Sequence, residues 1–63
     1  MFMIPTIYPY GVVNIKEVLC IEQKHDRYYL YDKCGRWRIS EDTFKYLEER
    51  GFKVYGRETN VRT

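Results

Sequence analysis

The stretch RYYLYDKCGRWRIS at residues 27–40 is the clearest structural signal in the chain. Arg27–Tyr31 is rich in aromatic residues, which favour β-strands, and Arg36–Ile39 is a second run of strand-forming residues. The sequence DKCG between them has the composition of a turn, with Gly35 suited to a positive φ. The stretch therefore predicts a β-hairpin.

A third strand is expected upstream of this hairpin. Ile15–Glu22 is apolar and β-branched enough to form one, and the polar residues 23–26 (QKHD) separate it from the next strand as a turn. If both turns are loops of about four residues, the strand registers follow. The expected cross-strand pairs are Tyr28 with Ile21, Leu30 with Leu19, Leu30 with Trp37, and Tyr28 with Ile39.

A helix and a last strand follow the hairpin. Ser40 is a good N-cap for a helix over Glu41–Arg50, and Gly51 suits a left-handed C′ position, where Phe52 can fold back on the last helical turn. Phe52–Arg57 alternates like a strand, and residues 58–63 form a polar tail that we expect to fray. The last strand could pair beside either the first or the third strand.

These elements predict a small α+β domain of β-β-β-α-β order, with a mainly antiparallel sheet and one short helix packed on one face. At 63 residues the chain has room for a single domain, 1–63, and for a shallow surface site but not for a deep cleft. Residues 1–13 are uncharged and fairly apolar, and are expected to form a short strand or a loop folded over the body. A signal peptide is not indicated, because a basic start and a small-residue cleavage site are missing.

Charge and cysteine content narrow the function classes. The formal net charge is +2, which only weakly favours a polyanionic partner. Cys20 and Cys34 match no metal motif, and the expected register places them too far apart for a disulfide. No phosphate loop, nucleophile elbow or metal box is present, so we expect neither an enzyme nor a cofactor or metal site. A reducing cytoplasm is the expected compartment.

Strand alternation predicts the candidate site on the sheet face opposite the core. Tyrosine and arginine side chains converge on that face, with Val18 and Cys20 beside them and Glu22 opposite Arg27. The expected binding residues are Arg27, Tyr29, Tyr31, Arg36 and Arg38. If residues 1–13 cover this face, however, the same side chains are ordinary sheet stabilisers.

Two reactive side chains are weaker candidates. His25 lies in a polar, basic turn and could touch phosphate or move a proton, although a solvated turn explains it more simply. Cys34 lies near Lys33 and Arg36, which would favour a thiolate, but no base is expected beside it.

The leading hypothesis is a non-enzymatic module that binds another protein, or itself, through the tyrosine and arginine face and the uncharged N-terminal segment. Tyr and Arg are the residue types that anchor protein interfaces. The chain contains no alanine, which is compatible with an AT-rich source such as a phage or mobile element whose product modulates a host factor. The alternative is a nucleic-acid-binding module that uses the same face. Neither a membrane nor a small-molecule substrate is expected.

Overall fold

The computed structural model describes residues 3–56 and contains six strands, a 3-10 turn and one α-helix. The expected polar tail at residues 58–63 lies outside the described residues. The elements in chain order are β1 (Met3–Thr6), β2 (Gly11–Asn14), the 3-10 turn Ile15–Glu17, β3 (Cys20–Lys24), β4 (Arg27–Asp32), β5 (Gly35–Ile39), α1 (Glu41–Glu49) and β6 (Val54–Tyr55).

The strands form a four-stranded sheet of order β5-β4-β3-β6 and a separate two-stranded hairpin of β1 and β2. β3, β4 and β5 are antiparallel neighbours, whereas β6 runs parallel to β3. The expected α+β class, with a mostly antiparallel sheet and one helix, is confirmed. The last strand pairs beside the first predicted strand, with Ile21 opposite Val54.

The β4–β5 hairpin has the predicted register. Leu30 lies opposite Trp37 and Tyr28 opposite Ile39. The turn is held by one carboxylate oxygen, Asp32 Oδ1, which accepts hydrogen bonds from the Cys34 and Gly35 amides at 2.8 and 3.1 Å and from Trp37 Nε1 at 3.1 Å. These donors lie within five residues of Asp32 and satisfy its buried side chain. Contacts between residues close together in the chain therefore determine this turn.

The β3–β4 register differs from the prediction by two residues. Ile21 pairs with Leu30, and Lys24 pairs with Arg27, so the connecting loop is only two residues long. His25 makes this short loop possible by adopting a left-handed φ of 56°. A shift of two residues keeps every β3 side chain on its expected face, because side chains alternate with a period of two.

The predicted start of this strand at Ile15 was wrong. Ile15–Glu17 forms a 3-10 turn, capped by the Asn14 side chain, which accepts a hydrogen bond from the Lys16 amide at 2.9 Å. Strand alternation therefore does not apply before Cys20. Leu19, expected in the core, is 65% exposed, while Val18, expected on the outer face, is buried.

The expected pairing of Glu22 with Arg27 was also wrong, because the two-residue loop places Glu22 opposite Tyr29. Both cysteine thiols are free, although the observed register places Cys20 opposite Tyr31 and so closer to the turn that contains Cys34 than expected.

The helix has both predicted caps. The Ser40 hydroxyl accepts a hydrogen bond from the Thr43 amide at 3.2 Å. At the other end, Gly51 has a φ of 92°, and the Phe52 amide reaches the Leu47 carbonyl at 3.4 Å. Together with the bond from the Gly51 amide to the Glu48 carbonyl, this is a Schellman ending. The helix ends at Glu49, one residue earlier than predicted.

The uncharged N-terminal segment forms a hairpin that docks on the sheet edge. The turn between its strands was expected in this region and spans residues 7–10, with a cis peptide bond before Pro9. The Ile7 amide donates to the Arg38 carbonyl at 2.7 Å, and the Arg38 amide donates to the Tyr8 carbonyl at 2.8 Å. These bonds attach the hairpin to the open edge of β5.

One hydrophobic core joins the hairpin, the sheet and the helix. Its buried members are Ile4, Val13, Val18, Ile21, Leu30, Ile39, Phe44 and Leu47. Since Ile4 and Val13 belong to the same core as the helix residues, the hairpin packs on the helix side of the sheet and leaves the opposite face uncovered. The described part of the chain contains no helix with the length and apolar character that a membrane crossing requires.

Two leucines test this packing. Leu30→Ala removes a fully buried side chain and should lower the free energy of unfolding by about 2–5 kcal/mol. Leu19→Ala, the same substitution at an exposed position, should change it by less than about 0.5 kcal/mol. Urea unfolding followed by Trp37 fluorescence measures both. Equal losses would contradict the exposed position of Leu19.

Candidate functional site

The five residues expected to bind a partner lie on one face of the four-stranded sheet. Tyr29 is directly opposite Arg38, and Tyr31 is opposite Arg36. Arg27 precedes Tyr29 by two residues in β4 and so points to the same side. We call this surface the Tyr/Arg face and define it by Arg27, Tyr29, Tyr31, Arg36 and Arg38.

The face is open. Arg27, Arg36 and Arg38 are exposed, whereas Tyr29 and Tyr31 are half-buried among their neighbours on the sheet. The structure therefore does not support the alternative in which residues 1–13 cover this face, for the part of that segment that it describes. That part reaches the face only at its rim, through Tyr8 and Pro9.

A cation–π contact organises the centre of the face. The Arg36 guanidinium lies over the Tyr29 ring, 4.5 Å from its centroid. Such contacts contribute about 0.5–1 kcal/mol at exposed sites. The contact restricts both side chains before any partner arrives, so less conformational entropy remains to be lost on binding.

Tyr31 is held by a carboxylate on the neighbouring strand. Its hydroxyl donates a hydrogen bond of 2.6 Å to Glu22 Oε1. This bond, with burial and the negative charge of Glu22, raises the pKa of Tyr31, while Arg36 acts in the opposite direction. The interaction occupies Glu22, so its carboxylate is engaged with the tyrosine rather than with an arginine.

Two shallow depressions cross the face and share three residues. The larger has a volume of about 550 Å³ and the smaller about 400 Å³. The larger is lined by Lys24, His25, Asp26, Arg27, Tyr29 and Arg36. The smaller is lined by Tyr8, Pro9, Arg27, Tyr29, Arg36 and Arg38.

The charge on the face is unbalanced. Within residues 3–56, no carboxylate forms an ion pair with Arg27, Arg36 or Arg38. Among the described residues, three guanidinium groups and no acidic side chain line the smaller depression. In the larger one, Asp26 is the acidic residue. Guanidinium groups match the geometry of carboxylates and phosphates.

The sequence reasoning included the N-terminal segment in the interface but did not single out Tyr8 and Pro9 as site residues. The turn around them was expected, but its position depends on two backbone hydrogen bonds to Arg38, which is about thirty residues away along the chain. No local pattern encodes that contact. The exposed aromatic side chains of the turn were the available signal.

The weaker chemical candidates are not brought together. His25 lies in the β3–β4 turn and Cys34 in the β4–β5 turn, which are at opposite ends of the sheet. Within the described residues, no group of three or more His, Cys, Asp or Glu side chains is placed to hold a metal ion. Burial and the nearby Glu22 raise the pKa of the Cys20 thiol, which disfavours the reactive thiolate.

Comparison with protein-family models, curated proteins and solved structures finds no match to this chain. The fold and the face define a small α+β protein with an open, cationic and aromatic sheet surface.

The bond between Tyr31 and Glu22 can be tested by titration. A raised pKa means that folding favours the neutral phenol. This contribution is complete below the ordinary tyrosine pKa of about 10, and is lost as the pH rises through the higher value of the folded protein. Glu22→Gln should therefore move the ionisation of Tyr31 to lower pH, measured from its ring-carbon NMR shift. Glu41→Gln on the helix is the matched control. An unchanged Tyr31 titration in Glu22→Gln would show that the bond is not formed in solution.

Proposed function

We propose that this protein is a non-catalytic interaction module that binds another protein, or a second copy of itself, through the Tyr/Arg face and the adjacent loop at residues 7–10. The observation that carries the proposal is the continuity of these two surfaces. Tyr8, at 75% exposure, lines the smaller depression together with Arg38, so one partner could contact both.

The loop supplies the apolar part of the proposed interface. Ile7, Tyr8 and Tyr10 are all exposed, and Tyr10 is the most exposed of them at 92%. Clustered exposed apolar side chains on a small protein commonly mark an interaction surface. Burying tyrosine rings provides large contact area at a small cost in conformational entropy.

The Tyr/Arg face supplies the polar part. Tyrosine and arginine dominate the residues that contribute most to binding energy in protein interfaces. Tyr29 and Tyr31 are already restrained by Arg36 and Glu22, respectively. The free thiols at Cys20 and Cys34 are compatible with a reducing compartment, and we propose the cytoplasm.

The proposal is tested by removing the exposed rings of the loop. Tyr8→Ser/Tyr10→Ser should weaken partner binding by at least about tenfold, because each buried ring is a candidate hot spot. The fold should be retained, since both side chains lie outside the core. Capture from a lysate of the producing cells measures a heterologous partner, and sedimentation equilibrium measures self-association.

Leu19→Ser is the control, because Leu19 is exposed and apolar but lines neither depression. Proteins retained by the wild type and by Leu19→Ser, but lost by the double variant, would support the proposal. If the double variant binds and self-associates like the wild type, the loop is not part of an interface.

Single-stranded nucleic acid is a second candidate ligand. It is favoured by one observation: among the described residues, three guanidinium groups and no carboxylate line the smaller depression. Single-strand binders combine such cationic grooves with aromatic rings on which bases stack, and Tyr8 and Tyr10 are exposed beside the groove.

Salt dependence separates this candidate from an apolar protein interface. If phosphates are bound, the affinity for a single-stranded oligonucleotide should fall steeply between low and physiological salt. Arg36→Ala/Arg38→Ala should abolish the binding, while Lys45→Ala/Arg50→Ala removes the same charge from the helix and should preserve most of it. Fluorescence anisotropy provides the measurement. The absence of binding at low salt would exclude nucleic acid.

A further inference from the structure

The two depressions form one continuous trough. They share Arg27, Tyr29 and Arg36, and together they run from the β3–β4 turn, across β4 and β5, to the loop at Tyr8 and Pro9. Adjacent strands lie about 4.8 Å apart, so a path over three such spacings is roughly 14 Å long. This length accommodates about four or five residues of an extended peptide.

Positive charge is distributed along the trough rather than concentrated at one point. Lys24 lies at the end formed by the turn, Arg27 and Arg36 lie in the middle, and Arg38 lies at the end formed by the loop. Asp26 is the acidic lining residue and is confined to the turn. A single anionic group could engage only part of this series, whereas a chain with several anionic groups could engage all of it.

The trough crosses the strands, so its basic residues follow one another from strand to strand. Arg27 comes from β4, whereas Arg36 and Arg38 come from β5, where the spacing of about 7 Å between alternate residues runs along the strand and across the trough. Alternate side chains of an extended peptide project to one side about 7 Å apart, a distance that long arginine side chains can span. Each carboxylate of such a series could accept a two-pronged contact from one guanidinium.

The position of Arg36 favours a peptide over a nucleic acid in this trough. Its guanidinium lies over Tyr29, so that ring face is not open to a stacking base. Tyr31 is likewise half-buried and bonded to Glu22. Carboxylates need only the outward edges of the guanidinium groups, and all three arginines are exposed.

We propose that the segment of the partner that lies in this trough is an extended acidic peptide, with carboxylates at alternate positions. This inference rests on the proposed function and specifies its partner. The arginine series holds the carboxylates, and the exposed Tyr8 ring contacts the peptide beyond Arg38.

The test uses the full chain and three probes of known composition. These are acetyl-(Glu-Thr)4-amide, the neutral acetyl-(Gln-Thr)4-amide, and an oligothymidylate of eight nucleotides. Binding is followed by amide chemical shifts in NMR titrations, first at low ionic strength, where exposed charge pairs are least screened, and then at about 0.15 M salt. The acidic peptide should bind at least about tenfold more tightly than either other probe at both salt concentrations.

Charge-neutralising variants locate the contact. Arg36→Gln/Arg38→Gln should weaken binding of the acidic peptide by about tenfold, corresponding to two partly exposed charge pairs. Lys45→Gln/Arg50→Gln makes the same change in net charge on the helix, and should weaken it by less than about twofold. Urea unfolding of each variant checks that the fold is retained.

The inference is overturned if the acidic peptide does not bind, if oligothymidylate binds as tightly or more tightly, or if both double variants weaken binding equally. The proposed function has a separate outcome. The acidic peptide could show no binding while Tyr8→Ser/Tyr10→Ser still abolishes partner capture or self-association. In that case the module binds protein through the loop, and only the inference that the partner segment is acidic is wrong.

Discussion

The burial of one side of β4 is the constraint on which the rest of the structure depends. Leu30 is fully buried at the centre of the sheet, between Ile21 on β3 and Trp37 on β5. Since strand side chains alternate, burying Leu30 forces Tyr29 and Tyr31 to the opposite side. The face that we propose as a binding surface is therefore a direct consequence of how the core is built.

The N-terminal hairpin completes both the core and the face. It contributes Ile4 and Val13 to the buried cluster, and it covers part of the β5 edge through the two backbone bonds at Arg38. Covering an edge limits uncontrolled strand pairing with other chains. The same docking places the Tyr8 ring at the rim of the cationic depression. The contact between the hairpin and β5 therefore both stabilises the fold and shapes the proposed binding surface.

The grouping of Arg27, Arg36 and Arg38 has an electrostatic cost in the isolated protein. Like charges on neighbouring strands repel one another, although solvent and salt reduce the effect at exposed positions. The contact between Arg36 and Tyr29 offsets part of it. An anionic partner would remove the remaining repulsion and gain attraction, which explains why charge complementarity is central to both proposed ligands.

Local chemistry determined much of the fold from the sequence alone. The Asp32–Gly35 turn, the Ser40 cap and the Gly51 ending depend on residues close together in the chain, so their patterns could be recognised directly. The five face residues were also predictable, because all of them lie on β4 and β5, where the predicted register is the observed one. Only the tertiary structure decided the start of β3, the pairing of β6 with β3, and the position of Tyr8 beside Arg38. Each of these depends on contacts between distant segments, and their free energies are set by the packing of the whole core rather than by any neighbouring residues.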